Sequence, residues 1–159
     1  SYTMLFHWAG SKAALKIGRL TENADLCARA LKIEALAIDR IERCYDPQQQ
    51  VYTQAVGSPN LDASTLKLIT MNYLDPRLPK THEHLKQLEA KLKTDQGLFY
   101  RYVHPDDFGK PEATFLVCAF WYVDALACVG RVDDAIRTLD GILPYANHLG
   151  IFSEDVGLD

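Results

Sequence analysis

From Pro111 to Val129 the chain reads PEATFLVCAFWYVDALACV, and after Glu112 its only charge is Asp124. A helix that is apolar on every side is buried on every side, so the rest of the chain must be arranged around this segment. Pro111 and Glu112 predict its start, because a first-turn proline gives up an unpaired amide and the acid meets the positive end of the helix dipole. Gly130 predicts its end. The run from Ala113 is nearly long enough to span a bilayer. Asp124, Tyr122 and the lack of flanking basic clusters make it a core helix instead.

The remaining segments read as neighbours and cover for that helix. Residues 2–20 form a helix with Lys12, Lys16 and Arg19 on a wet edge. Thr21 is the expected cap of a second helix running to about Cys44, amphipathic through Leu26, Ala30, Ile33, Ala37 and Ile41. Asp46-Pro47 and Gly57-Ser58-Pro59 are turns around a short strand at Val51–Val56. Asp62 caps an expected third helix through Leu74. Pro76 and Pro79 interrupt, and 80–93 is a polar helix with a narrow stripe of Leu85, Leu88 and Leu92. Residues 94–110 are loop, 131–146 an amphipathic helix, and the tail NHLGIFSEDVGLD has no period.

Three times a more apolar helix precedes a more amphipathic one. Phe6-His7-Trp8 with Gly18-Arg19-Leu20 is echoed by Phe120-Trp121 with Gly130-Arg131-Val132. Helix-hairpin repetition follows, with segments 3–20, 62–74 and 112–129 inner and the others outer. Such pairs build either an open solenoid or a closed double ring. Long loops rich in Tyr, Asp, Glu and Arg favour the ring with a site at one rim. The fold class is all-α, in one domain over residues 1–159.

At 159 residues, 48% hydrophobic and 24% charged, the chain supports one folded unit with a sizeable core. A net charge of −4 and no basic run argue against nucleic acid and anionic membrane surfaces as partners. Cys27, Cys44, Cys118 and Cys128 sit among apolar residues without a CxxC pair and read as free thiols of a reducing compartment. With no leader of the secretory kind, a cytoplasmic setting is the expectation.

Metal and nucleotide chemistry find no support in the motifs. His82 and His84 point to different sides of a helix, and no GxSxG, phosphate loop or GxGxxG occurs. Carboxylates near aromatic residues remain. Glu154, after Leu149-Gly150-Ile151-Phe152, reads either as a general base beside apolar walls or as a solvated acid in a frayed tail. Arg101-Tyr102 reads as a sugar-binding pair or as loop packing, and Glu112 as a ligand or a helix-dipole partner.

Five segments together resemble the family 15 glycoside hydrolases, which include glucoamylases, related glucosidases and trehalases. They are TMLFHWAG at 3–10, YTQAVGSPNLDAS at 52–64, GLFYRYVHPDDFGKPEATF at 97–115, CAFWYVDALACVGRVDDA at 118–135 and NHLGIFSED at 147–155, in family order. The resemblance implies an (α/α)6 double toroid of which this chain is about half, the C-terminal half of the catalytic domain. It implies inverting hydrolysis of α-glucosidic bonds in a glucan or trehalose substrate by two carboxylic acids, without metal or cofactor. Glu154 falls on the family's base position, and Arg101, Tyr102, Glu112 and Trp121 on segments that carry substrate contacts. The general acid is implied to lie upstream of residue 3, outside this chain, so the chain alone is expected to be inactive and to associate through uncovered inner helices. Ala119 stands where many relatives have serine, and Asp155 where they have glutamate or glutamine. The competing reading is a non-catalytic helical interaction module.

Overall fold

A computed structural model describes residues 1–157. The last two residues of the expected domain lie outside the described residues. Helices carry the architecture: α1 is Tyr2–Leu20, α2 Ala24–Glu42, α3 Lys67–Thr70, α4 Pro79–Leu92, α5 Leu116–Cys128 and α6 Val132–Ile142. Two short antiparallel ribbons complete it, β1 (Tyr45–Asp46) with β2 (Val51–Tyr52), and β3 (Ala113–Phe115) with β4 (Asp155–Gly157).

The hairpin reading holds. α1 packs along α2, and α5 along α6. Between them a 3-10 turn at Ala63–Leu66 runs into α3 and packs against α5 and α4, while α3 touches α1. The three segments expected to be inner therefore lie side by side. One apolar core joins Leu5 and Trp8 of α1, Ile41 of α2, Leu66, Leu68 and Ile69, the Leu85-Leu88-Leu92 stripe of α4, Phe99, and Cys118, Tyr122 and Leu126 of α5.

Several boundaries differ from expectation, each for a local reason. α2 is capped by Asn23, whose side chain accepts from the Leu26 amide at 2.9 Å. Thr21 instead closes α1, its hydroxyl donating to the Ile17 carbonyl at 2.9 Å. The third helix, expected through Leu74, stops at Thr70. Asn72 takes φ +56°, and the amides of Tyr73 and Leu74 both turn back to the Leu68 carbonyl. Asparagine tolerates this left-handed conformation better than most residues. The expected strand at 51–56 is only Val51–Tyr52.

The organising helix starts at Leu116, not near Pro111. Ala113-Thr114-Phe115 is extended because it pairs in register with Gly157, Val156 and Asp155. Its burial is also one-sided. Leu116, Cys118, Ala119, Tyr122, Ala125 and Leu126 are buried, while Val117, Asp124, Ala127 and Cys128 are exposed. Gly130 ends it as expected, at φ +81°, a conformation costly for residues with a Cβ. The Arg131 amide then bonds the Leu126 carbonyl at 2.9 Å, the 6→1 closure of a helix C-terminus.

Residues 147–157 are also held in place. The Asn147 side chain accepts from the amides of Leu149 and Ile151, Gly150 turns at φ +75°, and the Phe152 ring meets Phe120 edge-on at 5.1 Å. This tight turn anchored by an aromatic ring delivers Glu154 and β4 to the mouth of the β3–α5 junction.

Candidate active site

Two long-range attachments build the site. On one side, the Leu116 amide donates to the Glu154 carbonyl at 2.9 Å, and Phe115 pairs with Asp155. These fix the backbone of Glu154 from both directions while its side chain stays exposed. A frayed tail is thereby excluded for this residue. On the other side, the Ala63 amide donates to the Arg101 carbonyl at 2.8 Å, tying the 97–115 loop to the 3-10 turn.

Between these attachments lies a cavity of about 640 Å³ lined in part by Arg101, Tyr102, Glu112, Phe115, Glu154 and Asp155. Four of the five residues singled out in the sequence thus share one cavity. Trp121 does not line it. Its ring lies 6.2 Å from that of Tyr2, with the Lys67 ammonium 5.5 Å from its centroid.

The loop that rims the cavity is shaped by its own polar groups. The Asp106 carboxylate accepts from the Tyr102 hydroxyl at 2.6 Å and the Phe108 amide at 2.8 Å, and both bonds hold it below the usual carboxylate range. The same bond raises the Tyr102 phenol. The Tyr102 and His104 rings are 4.6 Å apart, and Phe108 stands fully exposed at the turn.

Sequence reading assigned Asp62 only a capping role. That role is real, since Asp62 Oδ1 accepts from the Ser64 amide at 2.7 Å. Its other oxygen, Oδ2, lies 3.4 Å from Arg101 Nε. Nothing in local spacing signals this pair, because the partners are 39 residues apart. Cys118 is buried beside them. Burial first, and then the Asp62 charge, pushes its thiol up to about 12, so it is a neutral apolar filler under the site.

Arg101 and Lys110 face Asp106, Glu112, Glu154 and Asp155 around a concave surface that also offers the aromatic faces of Tyr102, Phe108 and Phe115. Hydrogen-bonding ions beside aromatic faces suit a polyhydroxylated ligand, and an exposed carboxylate on a fixed backbone suits proton transfer with water. Among the described residues, no group of three or more His, Cys, Asp or Glu could hold a metal ion, and no helix is long and apolar enough to cross a membrane.

Residues 1–156 match the family described as glycosyl hydrolases family 15. The chain belongs to that family. It is similar to a trehalase of Thermoplasma acidophilum, 30% identical over an alignment of 159 positions that covers 98% of this chain and 27% of the relative. A trehalase of Mycobacterium tuberculosis is 33% identical over an alignment of 150 positions that covers 92% of this chain and 21% of that one. The chain therefore spans about a quarter of the length of these relatives. Among solved structures, a bacterial glucoamylase complexed with acarbose superimposes with a TM-score of 0.80, at 18% identity over 99% of this chain and 29% of that one. A glycosidase variant in complex with glucose gives 0.73, at 18% identity over 85% of this chain and 36% of that one. The fold is thus the all-α hairpin fold of glucoamylase-type (α/α)6 toroids.

Proposed function

We propose that this chain is the C-terminal half of the catalytic (α/α)6 domain of an inverting glycoside hydrolase that cleaves α-glucosidic bonds in an oligosaccharide, glucan or trehalose. The observation that carries the reading is the single cavity in which Glu154, Arg101, Tyr102 and Glu112 meet, in a chain of family 15. Glu154 is the general base that takes a proton from the attacking water. Arg101, Tyr102 and Glu112 hold sugar hydroxyls. Trp121 is left out of this set, because its ring lies against Tyr2 and Lys67.

The general acid comes from the part of the whole enzyme that this chain does not span. In an inverting enzyme the acid protonates the departing oxygen while the base activates water on the opposite face of the ring, with the carboxyl groups about 6.5–9.5 Å apart to admit that water. No metal, cofactor, nucleic acid or membrane takes part. Four unpaired cysteines support a reducing, cytoplasmic setting.

Proton NMR of the whole enzyme acting on maltooligosaccharides and on trehalose tests the reading. Water attacking opposite the leaving group releases β-glucose first, so an initial α-anomer from maltooligosaccharide excludes inversion, and no turnover of either substrate removes the assignment.

A further inference from the structure

We propose that Asp62 is the positioning residue for Arg101, its carboxylate holding the guanidinium at the wall of the cavity while the amide of the next residue, Ala63, holds the Arg101 main chain. The inference rests on the glycosidase reading for what Arg101 does, but its geometry stands alone. The two oxygens of the Asp62 carboxylate have separate duties. Oδ1 accepts the Ser64 amide at 2.7 Å and starts the 3-10 turn, and Oδ2 faces Arg101 Nε at 3.4 Å. Behind them the Asp62 carbonyl accepts the Thr65 amide at 3.0 Å and the Thr65 hydroxyl at 2.8 Å, so the carboxylate cannot swing without opening the turn. The next residue, Ala63, grips the Arg101 carbonyl at 2.8 Å.

Burial separates this pair from an ordinary surface ion pair. The Asp62 side chain is 12% exposed and that of Arg101 43%, so the anchor is withdrawn from water and the working end is not. Exposed pairs such as Arg29–Asp25, at 69% and 78%, are screened by solvent. A largely buried carboxylate fixed by the Ser64 amide gives a long, flexible arginine one preferred direction, and such pre-organisation raises the affinity of a binding group.

Asp62→Asn separates the two duties. Asparagine is as good a cap as aspartate, so the Ser64 bond survives. Its amide nitrogen then meets Arg101 Nε donor against donor. In the whole enzyme the expected result is a KM about tenfold higher with kcat within about threefold, because binding orientation is lost and proton transfer is not. The melting temperature should stay within about 2 °C of wild type, as the cap is kept. In an Arg101→Gln background the same substitution should change KM by less than about twofold, since its effect runs through the arginine.

NMR hydrogen exchange at Arg101 Nε–H needs no substrate and should accelerate in Asp62→Asn. An equal KM loss with and without Arg101, or unchanged Nε–H exchange, overturns the proposal. A wild-type enzyme without turnover overturns the glycosidase reading instead, and the exchange measurement still decides the role of Asp62.

Discussion

His84 Nδ1 accepts the amide hydrogen of Tyr52 at 3.2 Å, which leaves Nε2 to donate to the Thr65 carbonyl at 3.2 Å. The ring is fully buried, so one neutral tautomer bridges β2 to the 3-10 turn that begins at Asp62. This single imidazole connects the outer helix α4 to the turn whose Ala63 amide holds the Arg101 carbonyl.

Burial lowers the His84 pKa from its ordinary 6.5 to about 4. As pH falls through that interval the unfolded chain takes up the proton before the folded one, so stability falls with falling pH. It is fully present above about 6.5, and the loss is bounded at about 3 kcal/mol by the size of the shift. Urea unfolding at pH 7 and pH 4.5 checks this. His84→Asn keeps an acceptor for Tyr52 but loses the Thr65 bond. It should cost about 1–3 kcal/mol at pH 7 and flatten the dependence on pH.

Gly18 sits where α1 turns into α2. A Cβ there would lie 2.7 Å from Cys27 Sγ, 3.2 Å from the Cys27 nitrogen and 3.3 Å from the Asn23 carbonyl oxygen. Gly18→Ala should destabilise by about 1–3 kcal/mol through overpacking, despite the better helix propensity of alanine. Adding Cys27→Ala should recover part of this, because the sulfur contact goes and the two backbone contacts stay. Denaturant midpoints of the single and double variants measure the recovery.

Phe6, Ala13, Ile17 and Leu20 recur at heptad-like spacing on α1 and are all exposed. On the proposed half-toroid reading, this apolar stripe of an inner helix is covered in the whole enzyme by the part this chain does not span. The isolated 159-residue chain is therefore expected to associate as concentration rises in sedimentation velocity, and Ile17→Asp to reduce that association. It is also expected to show no turnover of maltooligosaccharide or trehalose, since the proposed reading places the general acid, whose proton transfer is worth about 10²–10⁴-fold, outside it. Clear turnover by the chain alone contradicts the two-half reading.

Periodicity reported the elements whose cause is local. α1, α2, α4 and α6 each carry their stripe, and Gly130 ends α5 where the pattern stops. What could not be read was decided by residues far apart. Pro111-Glu112 looks like a helix start, yet β4, 42 residues away, holds Thr114 against Val156 and delays the helix to Leu116. The same pairing holds in place a tail that has no pattern of its own. Asp62–Arg101 was invisible for the same reason, whereas Glu154, Arg101, Tyr102 and Glu112, which share the cavity, were singled out through whole segments that match a family. Trp121 matched its segment equally well and stands elsewhere, so a segment match does not by itself say where a side chain faces.

Glu154 is the residue to which the proposed mechanism assigns the base. Its main chain is pinned through the Leu116 amide and the Phe115–Asp155 pairing, so replacing its side chain should leave the fold unchanged. Glu154→Gln keeps the shape and removes the proton acceptor. In the whole enzyme kcat should fall by about 10²–10⁴-fold, the usual worth of general acid–base catalysis. KM should change little, because an interaction needed only in the transition state has been taken away. Glu112→Gln is the contrasting variant. It alters a group assigned to holding sugar hydroxyls, so its main effect should be on KM. Steady-state kinetics of both variants on one substrate separate the roles. A Glu154→Gln enzyme with near-normal kcat, or a Glu112→Gln enzyme that loses kcat by orders of magnitude at unchanged KM, moves the base from Glu154 to another carboxylate of the same cavity.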